Sequence, residues 1–141
     1  MQKTHLGPNH LHIREYSSDV DVIRPDMLSS ALVLMPSRTE GFGLAALEAI
    51  ALGIPVLVSD QSGLAEALNT LVPEHAMKCV VHVSADLETD AVAWERKIDF
   101  VLSDKPAAFA RANDLRNALA PRLSWQKAVH SLIEAVHLKS V

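Results

Sequence analysis

Apolar positions along the 141-residue chain fall into two patterns. Three runs are continuously apolar or nearly so: Ala31 to Met35, which stops at Pro36, then Pro55 to Val58 and Cys79 to Val83. Short apolar runs bounded by turn residues suit strands buried on both faces, as in a parallel sheet. Leu11 to Tyr16 alternates in part, with Leu11 and Ile13 on one side, and reads as a further strand.

The remaining pattern is helical. Pro25 to Ser30 begins with a proline suited to a first helical turn. Leu44 to Leu52 reads as a helix closed by Gly53, with Pro55 preventing continuation. Ser62 is the expected N-cap of a helix over Gly63 to Leu71. Leu87, Ala91, Trp94, Ile98 and Val101 recur at three- and four-residue spacings, one face of an amphipathic helix. Pro106 opens another helix through Leu119, and Ser124 caps a last one carrying Trp125, Val129, Leu132 and Val136. Strand–helix alternation over the first 85 residues predicts right-handed βαβ units. The fold class is therefore α/β: a Rossmann-like parallel sheet of about four strands flanked by helices, with a helical C-terminal third. The length suits a single domain over residues 1–141.

Composition narrows the function. Hydrophobic residues make up 49% and charged residues 21%, a globular balance. No apolar stretch approaches the roughly 20 residues of a membrane span, and residues 1–10 hold no secretory h-region. A net charge of −4 with 13 Lys plus Arg argues against nucleic acid as a partner. The single cysteine, Cys79, has no intramolecular disulfide partner and is expected buried and inert, which fits a cytoplasmic location.

The chemistry concentrates in Pro36-Ser37-Arg38-Thr39-Glu40-Gly41-Phe42-Gly43-Leu44 and the helix that follows. A buried strand ends, a glycine-bearing loop follows, and a helix begins near Gly43. Open α/β sheets bind ligands at this place, where helix-start amides and the positive end of the dipole favour a phosphate or sugar oxygen. Gly41 and Gly43 permit close approach. Glu40 precedes the helix and can reach a ligand over its start. Glu48 shares a face with Leu44 and Leu52 and needs a hydrogen-bonding partner there.

Glu40 and Glu48, with seven residues between them, match the E-x7-E pattern of retaining glycosyltransferases of the GT-B fold, in the group 1 (GT4-like) family. The words around them resemble that family too: Ala31 to Ser37, Glu40 to Leu44, and Ala49 to Val58. The resemblance is strong over about residues 9–70, and Ser124-Trp125 resembles the family's C-terminal helix. It implies the C-terminal, donor-binding half of a GT-B enzyme. By this resemblance Glu40 contacts the donor sugar, and the backbone of Gly41, Phe42, Gly43 and Leu44 lines the sugar and diphosphate. Glu48 holds the ribose, and Ser62 and Gly63 lie nearby, where the family often has paired glycines. The family's first βαβ unit, with its diphosphate-neutralising Arg and Lys, has no counterpart here, and Arg38 is the nearest cation. No metal and no cofactor are implied; the nucleotide-sugar is the donor substrate.

Each candidate also has a purely structural explanation. Glu40 could serve the helix dipole, Glu48 could bond loop amides, and the glycines could serve only the turn. His5, His10 and His12 lack a metal-ligand spacing. Asp86, Glu88 and Asp90 suit the first turn of a helix. Two functional readings follow. One is the nucleotide-sugar-binding domain of a glycosyltransferase, inactive alone and completed by the missing N-terminal half or other domains of a larger protein. The other is a non-catalytic glycosyltransferase-like module for ligand sensing or protein interaction. The strand over Ala31 to Met35 would present an open edge, covered either by Leu11 to Tyr16 or by a second chain in a homodimer.

Overall fold

A computed structural model describes residues 12–123, apart from 16, 18 and 85. The elements in chain order are α1 (Val20–Leu28), β1 (Val33–Met35), α2 (Leu44–Ala51), β2 (Val56–Ser59), α3 (Gly63–Leu71), α4 (Pro73–Cys79), β3 (Val80–Val81), α5 (Leu87–Leu102) and α6 (Lys105–Leu119). The strands form one parallel sheet in the order β1-β2-β3, with Leu34 beside Leu57 and Val58 beside Val80.

The central strand explains the layering. All four residues of β2 are buried, and their alternation sends them to two cores. Val56 and Val58 join Ala46, Ala49, Ile50, Leu64 and Leu68, with Leu115 and Leu119 of α6. Leu57 points the other way, to Val81, Val101 and Ala108, against which Trp94 and Ile98 pack. Sheet and helices therefore make a three-layer α/β arrangement, the Rossmann-like half expected from the alternation of runs.

Several boundaries differ from the sequence expectation. Residues 12–15 form no strand, so the sheet has three strands among the described residues rather than about four. Ile13 is 88% exposed and Arg14 is drawn to Asp26 on α1, at 2.8 Å, so charged neighbours leave this segment no face to bury. It does not cover the edge of β1. The first helix starts at Val20, because Asp19 accepts from the Asp21 amide and outcompetes Pro25, which sits inside the helix. Cys79 ends a helix rather than opening a strand. Pro73 at the first helical position, Glu74 in the first turn and Lys78 in the last make α4 a consistent short helix that leaves only Val80–Val81 as β3. The last predicted helix, with Ser124, Trp125, Val129, Leu132 and Val136, lies outside the described residues.

Other expectations hold in detail. Gly53, at φ +72°, follows the C-cap of α2, and Ser62 caps α3 through a 3.2 Å bond from the Ala65 amide. No helix of the described residues is long and apolar enough to cross a membrane.

Candidate functional site

Two loops meet at the carboxyl ends of β1 and β2. Residues 36–43 lead from β1 into α2, and residues 60–62 lead from β2 into α3. Gly43, the N-cap of α2, is left-handed at φ +94°, and a Cβ there would stand 2.4 Å from the Met35 methyl. Gly63 is needed for a different reason, since its Cβ would meet the Gly41 carbonyl at 2.9 Å. The loops are stitched together there: the amides of Gly63 and Leu64 donate to the carbonyls of Gly41 and Phe42 at 2.8 and 2.7 Å.

These bonds make the two helix starts unequal. In α3 the first amides are all used, by Gly41, Phe42 and the Ser62 hydroxyl. In α2 the amides of Leu44, Ala45 and Ala46 have no acceptor among the described residues, and Gly43 brings no capping side chain. Among the described residues the first amides of α3 are thus engaged and those of α2 are not. Gly41 needs neither a positive φ nor space, for nothing lies within 4 Å of where its Cβ would be.

Beside these loops is an open cleft of about 640 Å³, lined by Glu40, Gly41, Asp60, Gln61, Ser62, Gly63, Glu66, Asn69 and Thr70. Glu40 accepts from the Ser37 hydroxyl at 3.0 Å. Ser62 is buried, with its hydroxyl donating to the Ser59 carbonyl at 2.9 Å, so it serves the turn and the cap. Asp60 contacts the His82 ring and accepts from Gln61 at 3.1 Å and the Val83 amide at 3.2 Å. Burial raises the Asp60 carboxyl pKa, but the bonds from Gln61, Val83 and His82 outweigh it and hold the group below its ordinary value. Phe42 and Leu44 are exposed but, like Gly43, do not line the cleft.

Two predicted residues sit elsewhere. Arg38 turns away from the cleft to α5, where it bonds Asp90 at 2.8 Å and the Ser84 carbonyl at 3.1 Å. Asp90 is almost buried and also accepts from the Ser84 amide and hydroxyl, at 2.6 and 2.9 Å. The loop bearing Glu40 is therefore tied to the start of α5. Glu48 is exposed and faces a separate depression between α1 and α2, shared with Ile23, Arg24, Met27, Ala51 and Leu52. Glu40 thus precedes the start of α2, while Glu48 lies on its C-terminal half, in a different depression.

The sequence reading missed Asp60 and Glu66 in the cleft. Asp60 was within reach, being the first residue after a buried strand, where parallel sheets place ligand contacts. Glu66 gave no signal, since an acid in a first helical turn has a sufficient structural reason. The pairing of Arg38 with Asp90 across 52 residues was invisible to local pattern.

Fold and cleft define one class, a Rossmann-like α/β domain open at the carboxyl ends of its parallel strands. The family model described as "Family 4 Glycosyltransferase in conflict systems" matches residues 2–132, and the chain belongs to that family. A D-inositol 3-phosphate glycosyltransferase of Salinispora tropica is 37% identical over 105 residues, covering 73% of this chain and 19% of that protein. An uncharacterised glycosyltransferase of Methanocaldococcus jannaschii is 31% identical over 120 residues, 85% of this chain and 28% of its own length. A glycogen synthase of Mycobacterium tuberculosis is 33% identical over 93 residues, 66% of this chain and 20% of its own. The chain spans between 19% and 28% of the lengths of these three relatives. No solved structure matches it significantly.

Proposed function

We propose that this chain is the nucleotide-sugar-binding half of a glycosyltransferase and that transfer requires a second domain closing over the cleft. The observation that carries the reading is the start of α2. Its first three amides have no acceptor among the described residues, Glu40 lies in the loop just before it, and Gly41 in that loop has open space where a side chain would be. Phosphate oxygens suit the amides and the dipole, and sugar hydroxyls suit Glu40. By the family resemblance Glu48 takes the ribose hydroxyls, which requires a ligand long enough to reach from the start of α2 to the depression between α1 and α2.

The charge of the cleft sets the limit of what the chain does alone. Among the described residues Glu40, Asp60 and Glu66 line it and no Lys or Arg does, while Arg38 is held by Asp90. A diphosphate leaving group needs positive charge, so residues beyond those lining this cleft must bring it. The same acidic lining favours a second reading, a non-catalytic module that binds a sugar or a protein partner without transfer.

Titration with UDP, GDP, UDP-glucose and GDP-mannose, followed through amide NMR shifts, separates the two. Saturable shifts at residues 41–46, lost in Gly41→Val, support donor binding. Loss in Glu48→Ala as well would extend the ligand into the depression between α1 and α2. Silence at millimolar ligand sinks the donor reading and leaves the module.

A further inference from the structure

Among the described residues β3 has no strand beyond it, and an open groove of about 520 Å³ lies at that end of the sheet, walled by α4 and α5. Its apolar lining is Met77 on α4, 73% exposed, and Phe100 on α5, 50% exposed, with Val81 and Ala93. The Phe100 ring is fixed on one face by the Arg111 guanidinium, 4.6 Å from its centroid. The two walls are tied together, because the Lys97 ammonium donates to the Met77 main-chain carbonyl. The charged lining is of one sign: Lys78, Arg96 and Lys97, with no carboxylate among the described residues. His82 also borders the groove, but its ring contacts Asp60. The ion pairs among the described residues take none of the other three cations. Arg96 also borders a hollow with Asp86 and Glu88, so its charge is shared and the two lysines are the groove's own.

A single exposed apolar side chain needs no explanation, but two of them lining one hollow with charge of one sign mark an interaction surface. The sign is informative as well, since a chain of net charge −4 here presents a positive patch. We propose that this groove docks a short acidic segment of a partner protein. An apolar side chain of that segment packs on Met77 and Phe100, and its carboxylates meet Lys78, Arg96 and Lys97. Methionine adapts its shape to such an anchor, and a ring already fixed on one face loses little freedom on binding. Three cations are too few to hold a nucleic-acid backbone against the acidic remainder of the surface. A bilayer would be met by a protruding apolar face rather than by a hollow. The groove shares no residue with the cleft beside Glu40, so the inference stands apart from the donor reading.

The test uses the whole chain and a fluorescein-labelled short peptide of aspartate, glutamate and leucine, followed by fluorescence anisotropy. Two companion peptides carry serine for leucine or lysine for the acids, and phosphatidylserine vesicles serve as an anionic surface. The acidic leucine peptide alone should bind saturably, more weakly as salt rises, and shift the amides of Met77, Lys78, Ala93, Arg96, Lys97 and Phe100. Lys78→Glu combined with Arg96→Glu, both at exposed positions, should weaken that binding by roughly tenfold or more and favour the lysine peptide instead. Met77→Ser should weaken it several-fold while leaving Tm unchanged. No saturable binding at millimolar peptide would overturn the proposal, as would equal binding of the serine peptide, which would reduce the groove to a patch of counter-charge. Affinity that survives the double charge reversal, shifts confined to residues 41–46, or binding to the vesicles without binding to the peptide would overturn it too.

Discussion

Asp90 has 7% of its side chain exposed and meets its opposite charge in Arg38, on the loop that carries Glu40. Removing one partner leaves the other charge unanswered, and the arginine half of the pair is partly solvated, which lowers the cost. Asp90→Asn or Arg38→Gln is expected to cost roughly 1–3 kcal/mol, and to speed amide hydrogen exchange over residues 38–43, measured by mass spectrometry. Unchanged exchange there would show that the loop holds itself. Cys79 offers a second test at this scale. The ordinary thiol value is 9.0 and burial raises it to about 11. The folded state therefore favours the protonated form, so its contribution is present below pH 9 and is lost as pH rises toward 11. That loss is about 2–3 kcal/mol, and it should vanish in Cys79→Ala. Iodoacetamide at pH 8 should leave the native thiol unmodified and alkylate it in denaturant.

Elements show which glycines the fold needs. Gly43 must be left-handed and has the Met35 methyl against it, so Gly43→Ala should destabilise by roughly 1–3 kcal/mol in urea unfolding. Gly41→Ala should leave stability within about 0.5 kcal/mol, because its side would be open space. If both changes prove equally costly, Gly41 belongs to the turn and loses its value as a marker of ligand approach. Most elements were legible because their signals are local. Ser62 announces α3, Gly53 and Pro55 end α2, and the spacing of Trp94, Ile98 and Val101 sets the buried face of α5. The failures were places where two local signals competed. Pro25 suggested a helix start, yet Asp19 made a better cap six residues before it. Apolar Cys79-Val80-Val81 suggested one strand, yet its first residue completes a helix begun at Pro73. In the cleft, Glu40 and the glycines were legible from the loop. Asp60 was within reach as the first residue after β2, whereas Glu66 was not, because its place in the cleft depends on how β1 and β2 lie side by side.

For the whole molecule the open question is the edge of β1. Val33 to Met35 pair with β2 on one side, and residues 12–15 supply no strand on the other. Leu34 is 44% exposed on this edge strand, and Val33 and Met35 are half-buried. A free strand edge invites pairing with another chain. The edge is only three residues long, however, so it offers few ladder bonds, and any association through it should be weak and concentration-dependent. The relatives extend well beyond the span this chain covers. Strands from outside the described residues would satisfy the same edge. Sedimentation velocity at increasing concentration distinguishes the cases. Weight-average mass should rise with concentration for the chain alone and stay monomeric for Leu34→Lys, whose charge on the exposed face opposes close approach. A strictly monomeric parent chain would mean that brevity alone protects the edge. Strand pairing would then be excluded as a route of association for this chain, and any association would have to run through helix faces.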